Sequence, residues 1–202
     1  MAKYTGPKHK ICRRIGHCVW GSAKCPSHKR PFPPGQHGPT LRRKMSVYGQ
    51  QLLDKQVIRS HYGLMERQMR KTFTEAQRMG GVTGTNLLML LECRLDTIVF
   101  RMGFAPSITA ARQLVNHGHI LVGGKKVDIA SYLCKPGMVI SIREGSRKIP
   151  MVMEGAENPP IMIPEYIDRP AKAFAGKLTA LPNSETLPWK VDTAGVIGFY
   201  SR

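Results

Sequence analysis

The chain has 202 residues, enough for one or two domains with a modest core. It carries 31 Lys and Arg against 13 Asp and Glu, a net charge of +18, and a charge of that size points to a polyanionic partner. A membrane is disfavoured as that polyanion: no apolar run approaches the roughly 18 residues that span a bilayer, and no basic amphipathic helix stands out.

The opening Met1-Ala2-Lys3-Tyr4-Thr5-Gly6 has no hydrophobic core segment and does not read as a signal peptide. Residues 1–53 hold 11 Lys or Arg and no acid, whereas residues beyond 150 hold five basic and six acidic side chains. The basic excess is therefore an N-terminal property. Residues 1–46 are full of breakers, with Gly6-Pro7, Gly16, Gly21 and the run Pro31-Phe32-Pro33-Pro34-Gly35. Prolines remove donors and force extended backbone, so this arm is expected to form neither ordinary helix nor sheet and to order against a partner. Its candidate RNA contacts are Lys8, Lys10, Arg13, Arg14, Lys29, Arg30, Gln36, His37, Arg42, Arg43 and Lys44. Phe32, Trp20 and Tyr48 are candidate base-stacking groups, with core burial as the alternative for Tyr48.

The same arm holds His9, Cys12, Cys18, Cys25 and His28. Thiolate and imidazole suit tetrahedral zinc, and a metal would fold a segment poor in apolar residues. The candidate set is His9, Cys12, Cys18 and Cys25, with His28 as substitute; four unligated side chains packed near RNA is the alternative. The total of five cysteines is odd and fits reduced thiols in a cytosolic setting, with Cys93 and Cys134 reading as core.

From Ser46 to about Tyr62 the pattern is helical, with Lys55 and Arg59 expected on the exposed face as RNA contacts. Glu66–Arg78 reads as a second helix ended by Gly80-Gly81, and Gly84-Thr85 as the opening of a third over 86–94. Arg94 and Arg101 then bracket an apolar helix in which Asp96 is placed to pair with one of them. Ser107 is a good N-cap, Ile108, Ala111, Leu114 and Val115 recur at helical spacing, and Gly118 suits a left-handed helix end. Ile120–Val122 reads as a strand, Gly123-Gly124 as a two-residue hairpin turn, and 125–127 as the returning strand. Pro136-Gly137 is a further tight turn before a β-branched run over 138–142. Arg94, Arg101, Ser107, Arg112, Gln113, Asn116, His117, His119 and Lys125 are the candidate contacts of this region, suited to phosphates and 2′-hydroxyls. Beyond Arg147 the chain is punctuated by prolines, with β-like runs at 177–181 and 196–200.

The central stretch, with Arg94-Leu95-Asp96, then Arg101-x-Gly103-Phe104-Ala105, Ser107, Ala111–Val115, His117–Ile120 and Pro136-Gly137, resembles the S-four RNA-binding module. Departures are Thr109 and Ala110 where members often carry basic residues, and Gly123 at the usual Asn of the hairpin. Three flanks, RPFPPGQHG at 30–38, SVYGQQLLDKQ at 46–56 with HYG at 61–63, and the closing GFYSR, resemble the family of bacterial-type S-four proteins of the small ribosomal subunit. That resemblance implies an α+β fold: a basic arm over 1–46, where some members of the family hold zinc on four cysteines, a helical body over 47–91, the module over 92–150 as a small helix pair on a short antiparallel sheet, and a segment over 151–202 completing the body. It implies a non-enzymatic structural protein in the cytoplasm, a primary binder of 16S-type rRNA that nucleates the 5′ domain and contributes to translational accuracy. The implied partners are that rRNA, the neighbouring ribosomal proteins S-five and S-three, and mRNA at the entry path, with no membrane and no small-molecule substrate. Pseudouridine synthases carry the same module and are the enzymatic alternative, since Arg94-Leu95-Asp96 matches their catalytic triplet by letters. Here, however, the triplet enters the module, and neither flank supplies a catalytic domain. A zinc-finger-like DNA regulator would need a recognition helix after the cysteines, and none follows.

Overall fold

A computed structural model describes residues 4–22, 24–40, 44–183, 186–189 and 191–201. Two compact units emerge: residues 1–71 with 191–202, and residues 72–190. The helix over Glu66–Arg78 runs across the division.

The first unit opens with α1 (Lys8–Ile15), which corrects the expectation that the arm forms no helix. Pro7 starts it, where a missing N–H costs nothing, and Gly16 ends it at φ 97°, a left-handed conformation that favours glycine. What holds α1 is a small core of Cys12, Val19 and Cys25, with Ile15, Cys18 and Trp20 packed around it. Thiols here do the work that leucines do elsewhere. The arm is tied to α2 (Val47–His61): the Trp20 indole donates to the Ser60 carbonyl at 3.2 Å, and His61 Nδ1 lies 2.8 Å from the Val19 carbonyl. Ser46 caps α2 by accepting from the Gly49 amide.

The far end of the chain returns to α2. Residues 196–200 are not a strand but part of a helix, Ala194–Tyr200 (α8, with α3–α7 below). Its β-branched and aromatic residues read as β by propensity, and packing on α2 overrides that preference. Gly195 and Gly198 let the backbones close up, since a Cβ at either would run into Asp54 or Gln51. Lys55, expected at the surface, is 5% exposed; its ammonium sits 4.2 Å from the centre of the Phe199 ring and 2.9 Å from Glu66. The Tyr200 hydroxyl donates to the same Glu66 oxygen at 2.8 Å.

From the first unit into the second, α3 (Glu66–Arg78) leads through the turn at Gly80-Gly81 to α4 (Thr83–Glu92). The latter starts earlier than expected, because the Val82 carbonyl already accepts from Asn86. Then come α5 (Leu95–Arg101), buried along its whole length, and α6 (Ile108–Asn116), capped by Ser107 accepting from the Ala110 amide. The sheet has the order β2-β1-β3-β5-β4, all antiparallel, from β1 (Ile120–Val122), β2 (Lys125–Lys126), β3 (Val139–Ile142), β4 (Ile167–Asp168) and β5 (Ala175–Leu178). The hairpin turn is at Gly123-Gly124, both with positive φ. Two strands therefore come from the stretch expected to complete the body. Residues 151–190 belong to the sheet's own unit, and α8 is the element that joins α2.

α7 (Pro150–Glu157) packs its Gly155 against the Gly103 carbonyl, where a Cβ would collide with backbone. The Arg169 guanidinium donates to the Gly155 and Ala156 carbonyls near the end of α7 and lies over the Phe104 ring.

Candidate nucleic-acid interface and metal centre

In the second unit the expected contact residues divide sharply. Arg94, Arg101 and Arg112 are all under 9% exposed, so the expectation that they meet RNA is corrected. Asp96 is fully buried and holds two of them: Arg94 Nη2 at 2.9 Å and Arg112 Nη2 at 2.7 Å, each with a second hydrogen bond through its Nε. Arg101 pairs instead with Glu92 at 2.7 Å, an acid that also accepts from the Tyr166 hydroxyl at 3.0 Å. Burial beside the Glu92 carboxylate pushes the Tyr166 phenol well above its ordinary range. Buried guanidiniums persist because each makes two charge-assisted hydrogen bonds to a carboxylate, Arg94 and Arg101 to both oxygens and Arg112 to one, and the carboxylates lose water for the same reason. The Arg94-Leu95-Asp96 triplet is thus a framework element with its carboxylate enclosed, not an exposed catalytic acid.

The residues left at the surface of this unit are Gln113, Asn116, His117 and Lys125, with Ser107 and His119 half-buried. The His117 and His119 rings lie 6.0 Å apart, and His119 Nδ1 is 2.8 Å from the Ser146 hydroxyl. Pairing of Ile120 with Ile142 continues to Arg143, whose amide donates to the His119 carbonyl, so Arg143 and Arg147 join the histidines around an open cavity of about 760 Å³. These two arginines escaped the sequence reading because strand register, not local spacing, brings them there.

In the arm, Lys8, Lys10, Arg14, Lys29, Arg30, Gln36, His37 and Lys44 are exposed, while Arg42 and Arg43 lie outside the described residues. Arg13 is half-buried: it donates to the Phe32 and Pro33 carbonyls and stacks over the Phe32 ring at 5.1 Å. Arg59 is half-buried on α2 and donates to Gln56, and Lys55 is enclosed as described. Tyr48 is half-exposed, with its ring 5.7 Å from that of Phe199.

Beneath these cations, His9, Cys12 and Cys25 bring one nitrogen and two sulfurs within 4.8 Å of one another. His9 rides on the first turn of α1 and Cys12 follows one turn later, so both point to one side of the helix. Cys25 reaches them from the next loop, 3.4 Å from His9 Nδ1. Burial works against a Cys25 thiolate, yet hydrogen bonds from the Ser27 side chain and amide, from His9 and from Cys18 outweigh it and draw the thiol down to about 6. Cys12 is pushed up to about 12, chiefly by burial. A cation would reverse that, since a coordinated thiol gives up its proton. Cys18 is half-buried against the same cluster, whereas the imidazole of His28 is engaged with the Ser22 carbonyl at 3.2 Å. The donor set fits a soft, tetrahedral divalent ion: three of the four expected ligands converge, and Cys18, packed against the same cluster, lies outside that converging group.

A basic arm packed around free cysteines in one unit, with a helix pair beside a small antiparallel sheet in the other, has the make-up of an RNA-binding protein. A family model described as the ribosomal protein S4/S9 N-terminal domain matches residues 3–92, and one described as the S4 domain matches residues 93–140. The chain is 50% identical to the small ribosomal subunit protein uS4 of Brevibacillus brevis over 202 residues, covering the whole of both chains. The same holds at 50% for uS4 of a Geobacillus species and at 48% for uS4 of Listeria monocytogenes. This chain belongs to the uS4 family of small ribosomal subunit proteins.

Proposed function

We propose that this chain is an rRNA-binding structural constituent of the small ribosomal subunit, acting in the cytoplasm as part of the ribosome and performing no catalysis of its own. The observation that carries this reading, beside family membership, is the folded arm: exposed Lys and Arg side chains with no acid before Asp54, held over a compact thiol core. Such a surface neutralises phosphates and has little to offer any other partner. Recognition is of RNA shape and backbone, with the His117–His119 edge and Lys125 as the second contact. It binds 16S-type rRNA early, seeds assembly of the 5′ domain, and lies beside S-five and S-three near the mRNA entry path. Zinc on His9, Cys12, Cys25 and Cys18 keeps the arm in its RNA-ready form.

The test is binding of the full chain to a 5′-domain rRNA fragment across a salt series. Neutralising about five phosphates predicts a log–log slope on the order of −3 to −5. A flat response removes the electrostatic reading. For the accuracy role, subunits assembled with Tyr200→Phe, which deletes the hydroxyl contact to Glu66, are compared with wild type for near-cognate misreading. Equal error rates at full incorporation remove α8 from that role.

A further inference from the structure

All five cysteines are free, and three of them share the arm. Cys12 and Cys25 bring their sulfurs within 4.8 Å of each other, but their surroundings differ. Although only 2% exposed, Cys25 lines a cavity of about 780 Å³ together with six Lys and Arg side chains and no Asp or Glu, so a small neutral molecule can come up to it from solvent. Cys12 is not part of that lining: it is wholly buried on α1, packed with Val19 and Cys25. The Cys25 sulfur is held 3.1 Å from the Ser27 hydroxyl and 3.4 Å from His9 Nδ1. Cysteines that react with oxidants sit in electropositive, partly open surroundings, often with a second thiol in reach. A reachable sulfur with an enclosed one beside it is the arrangement of an attacking and a resolving thiol. Cys18, half-buried against the same core, lies outside the converging group.

We propose that the Cys12–Cys25 pair is an oxidation site for hydroperoxides, closing to a disulfide when the arm holds no ion. The Cys25 sulfur attacks one peroxide oxygen; the O–O bond breaks, an alcohol or water leaves with the thiol proton, and Cys25 becomes a sulfenic acid. The Cys12 sulfur then attacks the Cys25 sulfur. The S–S bond forms, the S–O bond breaks, and the departing hydroxide takes the Cys12 proton and leaves as water. Each sulfur loses one electron and the hydroperoxide takes up two. The sulfurs have to close to about 2.0 Å, and Cys25, in a loop and not in a helix, is the side that can move. Both sulfurs are then spent. Ion and disulfide are thus alternative closures of one core, each tying α1 to the loop that follows it. The chemistry is independent of RNA.

The experiment uses the full chain, stripped of metal with a chelator and treated with hydrogen peroxide at neutral pH. Trypsin cuts after Arg14 and Lys24, which puts Cys12, Cys18 and Cys25 in three different peptides. Mapping without reductant should find the Cys12 and Cys25 peptides joined within one chain and lighter by two hydrogens. Cys18, Cys93 and Cys134 should still be free, and a dithiol reductant should reverse the change. Zinc at ten times its Kd should slow the reaction about tenfold, since only the metal-free fraction reacts. The oxidised chain should no longer take zinc, and Cys18→Ser should form the same cross-link as wild type. A cross-link that uses Cys18 overturns the proposed pair. A cross-link between two chains, or oxidation of the enclosed Cys93 and Cys134 at the same rate, overturns a site built into the arm. Five free thiols after treatment, or zinc-loaded protein that reacts as fast as metal-free, overturns the proposal outright.

Discussion

Two arginines of the arm and three of the sheet-bearing unit have opposite fates. Arg14 and Arg30 stand in water above a thiol core, while Arg94, Arg101 and Arg112 are enclosed and paired with Asp96 and Glu92. The residue type is the same, and the difference lies in the acids. Where the chain supplies carboxylates that can be buried alongside, guanidiniums become framework; where it supplies none, they stay outward and keep their charge for a partner. Net charge alone therefore overstates how much of a basic protein faces RNA.

Removing what holds each region separates them further. The largest effect is expected from the arm's core. Protein prepared without chelator should carry close to one zinc per chain, and a structural zinc contributes on the order of 10 kcal/mol of apparent binding free energy. Cys12→Ser with Cys25→Ser should release it and unfold α1, leaving the sheet-bearing unit's amide exchange unchanged. Metal analysis finding no zinc would take the ion out of the account. Next comes Asp96→Ala, which leaves two buried guanidiniums without their shared carboxylate. About 3–5 kcal/mol of the second unit's stability should go, read from its denaturant midpoint. Arg30→Gln in the arm should change stability by under about 0.5 kcal/mol. If the two variants cost the same, the contrast is wrong.

Gly155→Ala should cost about 1–3 kcal/mol by driving a methyl into the Gly103 carbonyl, with rRNA affinity of the folded protein unchanged. Last is the pH dependence of the first unit. Burial alone would raise the Glu66 carboxyl, but hydrogen bonds from Lys55 and Tyr200 and the charges of Lys55 and Arg59 hold it below the usual carboxylate range. Its folded value is therefore lower than its unfolded one. The stability it contributes is fully present above the unfolded value, near 4.3, and is lost as pH falls through the folded value. Glu66→Gln should flatten the acid limb of a urea-stability profile; an unchanged limb would show that Glu66 titrates alike in both states.

Much of this was legible in the sequence, for physical reasons that can be named residue by residue. Ser107, Gly118 and Gly123-Gly124 announce α6 and the β1–β2 hairpin because each solves a purely local backbone problem. The cluster of His9, Cys12 and Cys25 was visible because ligand chemistry restricts the residue types. What stayed hidden needed distant partners. Helix α1 is held by Cys25 and Val19, beyond its own end, and its apolar face was too thin to register as periodic. The burial of Lys55 depends on Phe199, and the enclosure of Arg112 on Asp96, sixteen positions earlier. The fate of residues 167–178 as two more strands depends on β3's free edge, which no local pattern encodes.

The first unit is assembled from residues 1–71 and 191–202, with the whole second unit lying between them in sequence. A polypeptide leaves its exit tunnel in order, at about 5–20 residues per second, so the sheet can close while α2 still waits for its partner helix. For several seconds the groove that will receive Phe199 and Tyr200 is open, and Lys55 has neither ring beside it. Docking of α8 is thus a late step set by the connectivity. A chain lacking residues from Ala194 onward would hold every strand of the sheet but leave bare the face of α2 that Phe199 and Tyr200 cover.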